Sequence, residues 1–224
     1  MNQAIRLSTL GHSCVLVELV GEDGVTAKVL LDPGSLTPPL EPIDGLDAIL
    51  VTHAHPDHVD PAQVNRLRAD GPVPVFGDAT TAKVLGEAEV VDVTVVAPGE
   101  VTIAGVRIDV SEWKHQDIYP GVPVPVDFGY LIDGRVFAPG DAFAIPEFAV
   151  DTLLLPTGAP WMKLAETIDY MRTISPRTVI PVHDGGLAPA HREMHRGLMQ
   201  KFAPEGTTVL RPSIGDEITL DPVG

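Results

Sequence analysis

Cysteine is almost absent from this chain, because Cys14 is the only one among its 224 residues. A single cysteine excludes an intrachain disulfide and a zinc site built from several thiolates. Cys14 lies in an apolar stretch, which is typical of a small buried residue and not of a nucleophile. This cysteine usage fits a reducing compartment, and we predict a cytoplasmic protein.

The chain also lacks long hydrophobic runs. No apolar stretch approaches the roughly 20 residues of a membrane-spanning helix, so we predict no membrane partner. The first six residues lack the apolar region of a signal peptide. No repeat, low-complexity tract or linker interrupts the sequence, and its 22 prolines are spread along it. We therefore predict one domain over residues 1–224, with a homo-oligomer of that domain left open.

Positive charge is scarce as well. Lysine and arginine number 15 against 31 aspartates and glutamates, which gives a formal net charge of −16. Binding to nucleic acid normally requires a basic face, so we predict a small-molecule substrate and no nucleic-acid partner. Lys114 and Lys163 are the cations nearest in sequence to the candidate site described below. Either could meet a carboxylate or phosphate there, although a solvated surface position is more typical of lysine.

The most informative segment is residues 52–58, which read Thr-His-Ala-His-Pro-Asp-His. Three of the chain's eight histidines fall within it, directly after a predicted buried strand at residues 46–51. Imidazole and carboxylate ligands suit zinc, iron, manganese or nickel. A polar loop without function is the alternative, and this concentration of histidines argues against it.

The spacing within this segment indicates two metal ions. His53 and His55 are alternate residues, so in an extended chain they project to the same side. Pro56 then favours a turn, which carries Asp57 and His58 toward a predicted helix. One pair can hold one ion while the other pair holds a second, and two-metal hydrolytic sites place their ions about 3.5–4 Å apart.

Three further candidate ligands each follow an apolar, strand-like run: His115, Asp141 and His183. Ligands of open α/β sheets gather at the carboxyl ends of the strands, so these side chains could complete the site. For each of them alone, a polar residue that simply ends a strand is the better explanation. Together with residues 52–58 they form a set.

These motifs, in this order, resemble the metallo-β-lactamase superfamily. Residues 10–18 and 159–162 are similar to the branch that holds ascorbate-phosphate lactonase. The resemblance implies an α/β fold, a four-layer αββα sandwich. It also implies a ligand set in which His53, His55 and His115 hold one metal, Asp57, His58 and His183 hold the second, and Asp141 bridges the two.

The resemblance further implies a metal-dependent hydrolase with two divalent ions, for which we expect zinc, with manganese and nickel as alternatives. A water held by such ions would be activated near neutral pH and would attack a small ester or lactone. The predicted catalytic residues are Asp57, Asp141 and His183, of which Asp57 and His183 could move protons. A phosphodiesterase, a mononuclear iron oxygenase and a non-catalytic binding protein stay as alternatives.

Other residues have weaker claims. Asp32 ends a predicted strand and could orient a ligand histidine or form a turn before Pro-Gly. His12 could face the metals, although a structural histidine is favoured. His191 and His195 lie on one face of a predicted helix that we interpret as solvated. Residues 116–126 are predicted to form a loop that contacts substrate.

Hydrophobic periodicity and turn residues predict the remaining elements. The predicted strands are 14–19, 27–31, 46–51, 73–76, an antiparallel group within 90–110, 135–137, 179–182, 207–210 and 217–220; the predicted helices are 61–69, one that follows Asp78 as N-cap, 163–174 and 189–202.

Overall fold

The computed structural model describes residues 3–21 and 24–222. The strands are β1 (Ala4–Gly11), β2 (Cys14–Gly21), β3 (Gly24–Leu31), β4 (Ala48–Leu50), β5 (Val75–Gly77), β6 (Val93–Val95), β7 (Gly99–Ile103), β8 (Val106–Lys114), β9 (Val126–Ile132), β10 (Val136–Ala138), β11 (Thr152–Pro156), β12 (Thr178–Val182), β13 (Thr208–Val209) and β14 (Glu217–Leu220). The helices are α1 (Pro61–Leu67), α2 (Ala79–Glu87), α3 (Leu164–Ile174) and α4 (Pro189–Phe202).

The strands form two seven-stranded sheets. The first has the order β14-β1-β2-β3-β4-β5-β6, and the second has the order β13-β12-β11-β10-β9-β8-β7. Each sheet is mixed, since β3 to β6 pair in parallel in the first sheet and β10 to β13 pair in parallel in the second. The remaining neighbours pair antiparallel.

Alternating side chains divide the interior into three hydrophobic cores. Val29 and Leu31 of β3 point into the core between the sheets, whereas Leu30 packs with α1 and α2 on the outer face. In the same way Leu154 of β11 faces the first sheet, while Leu153 and Leu155 pack against α3 and α4. Each fully buried leucine contributes about 1.5–3 kcal/mol. The predicted four-layer αββα sandwich is confirmed.

Local sequence signals set the helix ends. Asp78 caps α2 as predicted, because its carboxylate accepts from the backbone N–H groups of Thr80 and Thr81. Asp60 caps α1 ahead of Pro61, a residue suited to the first helical position. Both helices follow strands of the first sheet, so their caps sit at the end of the sheet where the candidate site lies. Across the described ranges, no helix has the length and hydropathy needed to cross a membrane.

The strand predictions needed three corrections. Residues 90–110 are not one antiparallel group, because β6 joins the first sheet in parallel with β5 while β7 and β8 form a hairpin of the second sheet. The sequence reading also omitted β9 and β11. All five residues of β11 are buried, so its apolar residues do not alternate with polar ones.

Candidate metal centre

The candidate ligands converge at one end of the sandwich because each follows the carboxyl end of a strand. His53, His55, Asp57 and His58 follow β4, and the last two occupy a turn just before α1. From the second sheet, His115 follows β8, Asp141 follows β10 and His183 follows β12. The seven predicted residues come together, so the two sheets contribute to one site.

One group consists of His53, His55 and His115. Their candidate ligand atoms all lie within 4.8 Å of one another. His53 Nε2 is 3.0 Å from His55 Nδ1. His53 and His115 are buried, whereas His55 is partly exposed and marks the open side of the group. Three imidazoles without an acid residue form a set that suits a divalent transition metal.

A second group contains Asp57, His58 and His183, together with His12. Asp141 lies between the two groups, since His53, His58 and Asp141 also satisfy the same distance limit. The Nε2 atoms of His58, His115 and His183 lie 3.2, 3.3 and 3.1 Å from the Asp141 carboxylate oxygens. Asp141 is therefore the residue that all parts of the site share.

In three of the candidate ligands, His58, His115 and His183, the ring nitrogen that faces away from the site has a fixed partner. Nδ1 of His115 and Nδ1 of His183 each face a backbone carbonyl, of Gln116 at 2.6 Å and of Gly158 at 2.7 Å. Nδ1 of His58 lies 2.8 Å from Asp32 Oδ2. Because these partners accept hydrogen bonds, the network assigns the proton to Nδ1 and leaves the inward Nε2 lone pair free.

The inward atoms have no partner of their own. Among the described residues, Nε2 of His58, His115 and His183 and Oδ1 of Asp141 are buried without an acceptably aligned hydrogen bond. Several such atoms around one point would be costly, since a buried polar group without a partner loses about 1–3 kcal/mol. Inward lone pairs and carboxylates are what a cation requires, so these residues fit a metal site.

His12 has the opposite arrangement. Its Nδ1 accepts a hydrogen bond from the Gly185 backbone N–H at 3.1 Å, so in the neutral ring Nε2 carries the proton. That Nε2 lies 3.2 Å from Asp57 Oδ2 and donates to it. A protonated nitrogen cannot bind a metal. His12 therefore holds Asp57 in place, and proximity alone is what groups it with the ligand atoms.

The electrostatics of the site balance carboxylates against imidazoles. Burial lowers the pKa of His53 well below its usual value and lowers the pKa of His55, which keeps both rings neutral. Burial acts in the same direction on His58, but the charges of Asp141 and Asp32 outweigh it and raise the pKa of His58 well above the usual range. Without a cation, a second proton on Nε2 of His58 would supply the positive charge that the surrounding carboxylates require, and a bound cation would replace that proton and take up the lone pair.

The two candidate carboxylate ligands stay ionised. Burial alone would raise the pKa of Asp141, but the His58 charge and the contacts from His115 and His183 leave it well below its usual value. At Asp57, the hydrogen bond from His12 and the charges of His58 and His183 likewise outweigh burial and lower the pKa. Ionised carboxylates are the form that binds a metal.

Comparison with known proteins identifies the family. The family described as "Beta-lactamase superfamily domain" matches residues 6–183. Protein Rv0786c of Mycobacterium tuberculosis is 35% identical over 212 residues, which cover 92% of this chain and 96% of that protein. The chain belongs to the metallo-β-lactamase superfamily. The narrower resemblance to the ascorbate-phosphate lactonase branch stays a prediction.

Other members of the superfamily support the same fold. The UPF0173 metal-dependent hydrolase MJ1163 of Methanocaldococcus jannaschii is 27% identical over 219 residues, or 94% of this chain and 98% of that protein. Igni18, a metallo hydrolase from Ignicoccus hospitalis, superimposes with a TM-score of 0.71 at 19% identity and covers 97% of this chain and 99% of its own. At this identity the structural match establishes the fold alone.

Some residues of this superfamily member matter to the site although sequence reasoning gave them no role. Asp127 is fully buried, with Oδ1 3.2 Å from His53 Nδ1, and burial raises the pKa of Asp127 well above its usual range. Trp161 donates from Nε1 to Asp141 Oδ2 at 2.8 Å. Gly140 has φ +64°, and a Cβ there would lie 2.2 Å from Asp127 Oδ1. The sequence signal for Gly140 is its position directly before the candidate ligand Asp141.

Of the residues with weaker claims on the site, Asp32 contacts a candidate ligand, His58. Asp32 contacts His58 and also accepts from the Thr52 backbone N–H and hydroxyl, each at 2.8 Å. Lys114 is exposed and pairs with Asp117. Lys163 precedes α3, where its backbone N–H donates to Glu166. In the part of the chain that the structure describes, the partners of both lysines lie outside the site.

The prediction of a solvated face on helix α4 is confirmed for His191, whereas His195 is partly buried. His191 is exposed, as the solvated-face interpretation requires, but His195 is partly buried, with Nδ1 2.8 Å from the Thr157 carbonyl. Residues 116–125 form an irregular segment, with Tyr119 72% exposed. Its role in substrate contact stays a prediction.

Proposed function

We propose that this protein is a metal-dependent hydrolase that uses two divalent ions to cleave a small ester or lactone. His53, His55 and His115 would hold the first ion, and Asp57, His58 and His183 would hold the second. Asp141 would bridge them. Divalent ions in such a site lower the pKa of a coordinated water to about 7 and polarise a substrate oxygen.

The observation that carries this proposal is the set of buried, unpartnered atoms. Nε2 of His58, His115 and His183 and Oδ1 of Asp141 all face the same space, while the outer nitrogen of each ring is occupied. This arrangement stabilises an inward lone pair on each ring, and a cation is the species that satisfies several lone pairs at once. An apolar group in this space, or no group at all, would leave these atoms without a partner.

The chain's own groups orient and protect the reaction. His53, His58 and Asp141 are buried, whereas the Asp57 side chain is 30% exposed, so substrate approaches past Asp57. Of the proposed catalytic residues, Asp57 and His183 lie on this side, with His183 Nε2 3.5 Å from Asp57 Oδ2. They are therefore close enough for a proton to pass between them and a bound substrate. Asp141 accepts a hydrogen bond from Trp161 and lies between the two groups of candidate ligands, so it would fix their relative positions.

The test begins with metal content. Protein purified without chelator or added metal is analysed for identity and stoichiometry, and two equivalents of zinc, manganese or nickel are expected. Lactones and small esters are then assayed, with bis(4-nitrophenyl) phosphate beside them because a phosphodiesterase would use the same residues.

Two results would overturn the proposal. A single iron would favour redox chemistry, and no bound metal after reconstitution would leave a non-catalytic protein. Hydrolysis of the phosphodiester alone would keep the metal site but replace the substrate class.

A further inference from the structure

A second concave region adjoins the candidate metal centre. It is a cleft of about 400 Å³ between the end of β1, helix α4 and the segment that precedes β14. His12 lines this cleft and also donates to Asp57, so one side chain connects the two regions. The volume falls within the range of about 300–1,000 Å³ that small-molecule sites occupy. We call it the α4 cleft.

The α4 cleft contains two arginines. Arg192 and Arg196 lie four residues apart on α4 and both line the cleft, because that spacing places them on one face of the helix. Arg192 Nε lies 2.9 Å and Arg196 Nη2 lies 3.3 Å from the same oxygen, Asp184 Oδ2. Two guanidinium groups thus share one carboxylate, in a chain whose net charge is −16.

Arg196 is held on two sides of the cleft. Its Nη2 also donates to the Pro212 carbonyl at 3.2 Å, and within the described residues its Nε is buried without an aligned hydrogen bond. The side chains of Arg192 and Arg196 are 32% and 15% exposed, so both are partly shielded from water, and electrostatic attraction is stronger in such a setting than at a fully solvated surface. A planar guanidinium is suited to a carboxylate or phosphate.

We propose that the α4 cleft binds an oxyanion group of the substrate, a carboxylate or a phosphate, while the reacting carbonyl lies at the metal centre. This inference rests on the proposed function. The substrate would then be a short ester or lactone that also carries an anionic group. The competing explanation is that both arginines serve only to fix Asp184, the residue after His183.

The first experiment compares two esters with the same leaving group on the metal-loaded protein. Mono(4-nitrophenyl) succinate carries a carboxylate, and 4-nitrophenyl butyrate is a neutral counterpart of similar length. We expect a higher kcat/KM for the anionic ester, and Arg196→Gln should lower the anionic-to-neutral ratio by about tenfold or more, chiefly through KM. Arg196→Lys should retain part of the ratio because it keeps the charge. Arg211→Gln is the matched control, since Arg211 pairs with exposed Glu193 outside the cleft lining and should leave the ratio unchanged.

The second experiment does not require turnover. Calorimetric titration of the metal-loaded protein with succinate and with inorganic phosphate should give a Kd that rises about tenfold or more in Arg196→Gln. The tighter of the two probes identifies the oxyanion. If Arg196→Gln does not fold, Arg192→Gln replaces it, since Arg196 still holds Asp184 in that variant.

The outcomes separate this inference from the proposed function. Binding that depends on Arg196, without hydrolysis of either ester, would support the cleft and contradict the ester substrate. Hydrolysis with a ratio and a Kd that do not change in Arg196→Gln would overturn the cleft as a binding site and leave the arginines as supports for Asp184.

Discussion

His12 and His58 are both buried and both contact a carboxylate, yet their rings are used in opposite ways. His58 has its outer nitrogen on Asp32 and turns Nε2 inward, whereas the His12 Nδ1 accepts from Gly185 and leaves the proton on Nε2. The chemistry of an imidazole is therefore decided by the partner of its second nitrogen. Sequence position alone cannot supply that information.

The role of His12 predicts a specific pattern of rescue. His12→Ala should weaken binding of the second metal about 10–100-fold, because Asp57 loses the donor that orients it. His12→Gln should restore most of that affinity, since the amide N–H of glutamine can donate to Asp57 but cannot replace an imidazole ligand. Metal titrations of both variants provide the readout. A glutamine variant as defective as the alanine variant would indicate that His12 binds the metal itself.

Asp141 is the residue on which both metals are proposed to depend. Asp141→Ala should lower the metal content from two equivalents and reduce hydrolysis by orders of magnitude, because three imidazoles would lose their common anionic neighbour. The fold should persist, since Asp32 still contacts His58 and, of the aligned hydrogen bonds among the described residues, the one from Trp161 is lost. Elemental analysis and circular dichroism test the two parts, with His191→Ala as the control on an exposed helix position. Wild-type turnover in Asp141→Ala would contradict the bridging role.

At the scale of residues, the sequence predicted the candidate ligands better than their supports. Residues 52–58 concentrate three histidines beside a strand, and that density is visible without a structure. Asp127 gave no comparable signal, because its strand pairs with its neighbours in sequence, whereas its contact with His53 is made across the packing of the two sheets. Long-range contacts of this kind are set by the fold and not by local pattern.

At the scale of elements, the turn that carries Asp57 is held by close backbone packing. A Cβ at Gly34 would lie 1.8 Å from the Asp57 carbonyl oxygen and 2.6 Å from the His58 nitrogen. These atoms belong to the backbone, so no side chain can rotate away. The Ser35 backbone N–H also donates to the Pro56 carbonyl at 2.8 Å, which ties the segment after β3 to the same turn.

Gly34→Ala should therefore displace the turn. We expect a loss of about 1–3 kcal/mol in the free energy of unfolding from overpacking, together with weaker binding of the metal that Asp57 and His58 are proposed to hold. Gly86→Ala is the control, because that glycine lies in α2 with open space around it, and alanine there should stabilise by about 0.5–1 kcal/mol. Denaturant unfolding and metal titration give the two measurements. Unaltered metal affinity in Gly34→Ala would show that the turn adapts.

The elements themselves were predictable where a local rule applied. The Asp78 cap and the Pro189–Phe202 helix follow from short sequence signals. The pairing of β6 does not follow from such a signal, because Val93–Val95 is short and its parallel pairing with Val75–Gly77 depends on the intervening helix. Strand existence is a local property, whereas strand order depends on contacts between distant segments.

At the scale of the whole molecule, the candidate metal centre joins the two sheets. His53, His55, Asp57 and His58 belong to the first half of the chain, while His115, Asp141 and His183 follow strands of the second sheet. Ions bound between them would act as cross-links between two layers that otherwise meet through the central hydrophobic core. Metal binding should therefore stabilise the folded state of the entire sandwich.

This coupling predicts a concentration-dependent melting temperature. At free metal about a hundredfold above Kd, the folded state gains about 2.7 kcal/mol, because the unfolded chain does not preserve the site. For a chain of this length that corresponds to a rise in Tm of about 5–10 °C. Scanning calorimetry of metal-loaded and chelator-treated protein measures the difference, and Asp141→Ala should lose most of it. Equal Tm values with and without metal would mean that the ions do not bind preferentially to the folded state, and would contradict the candidate metal centre.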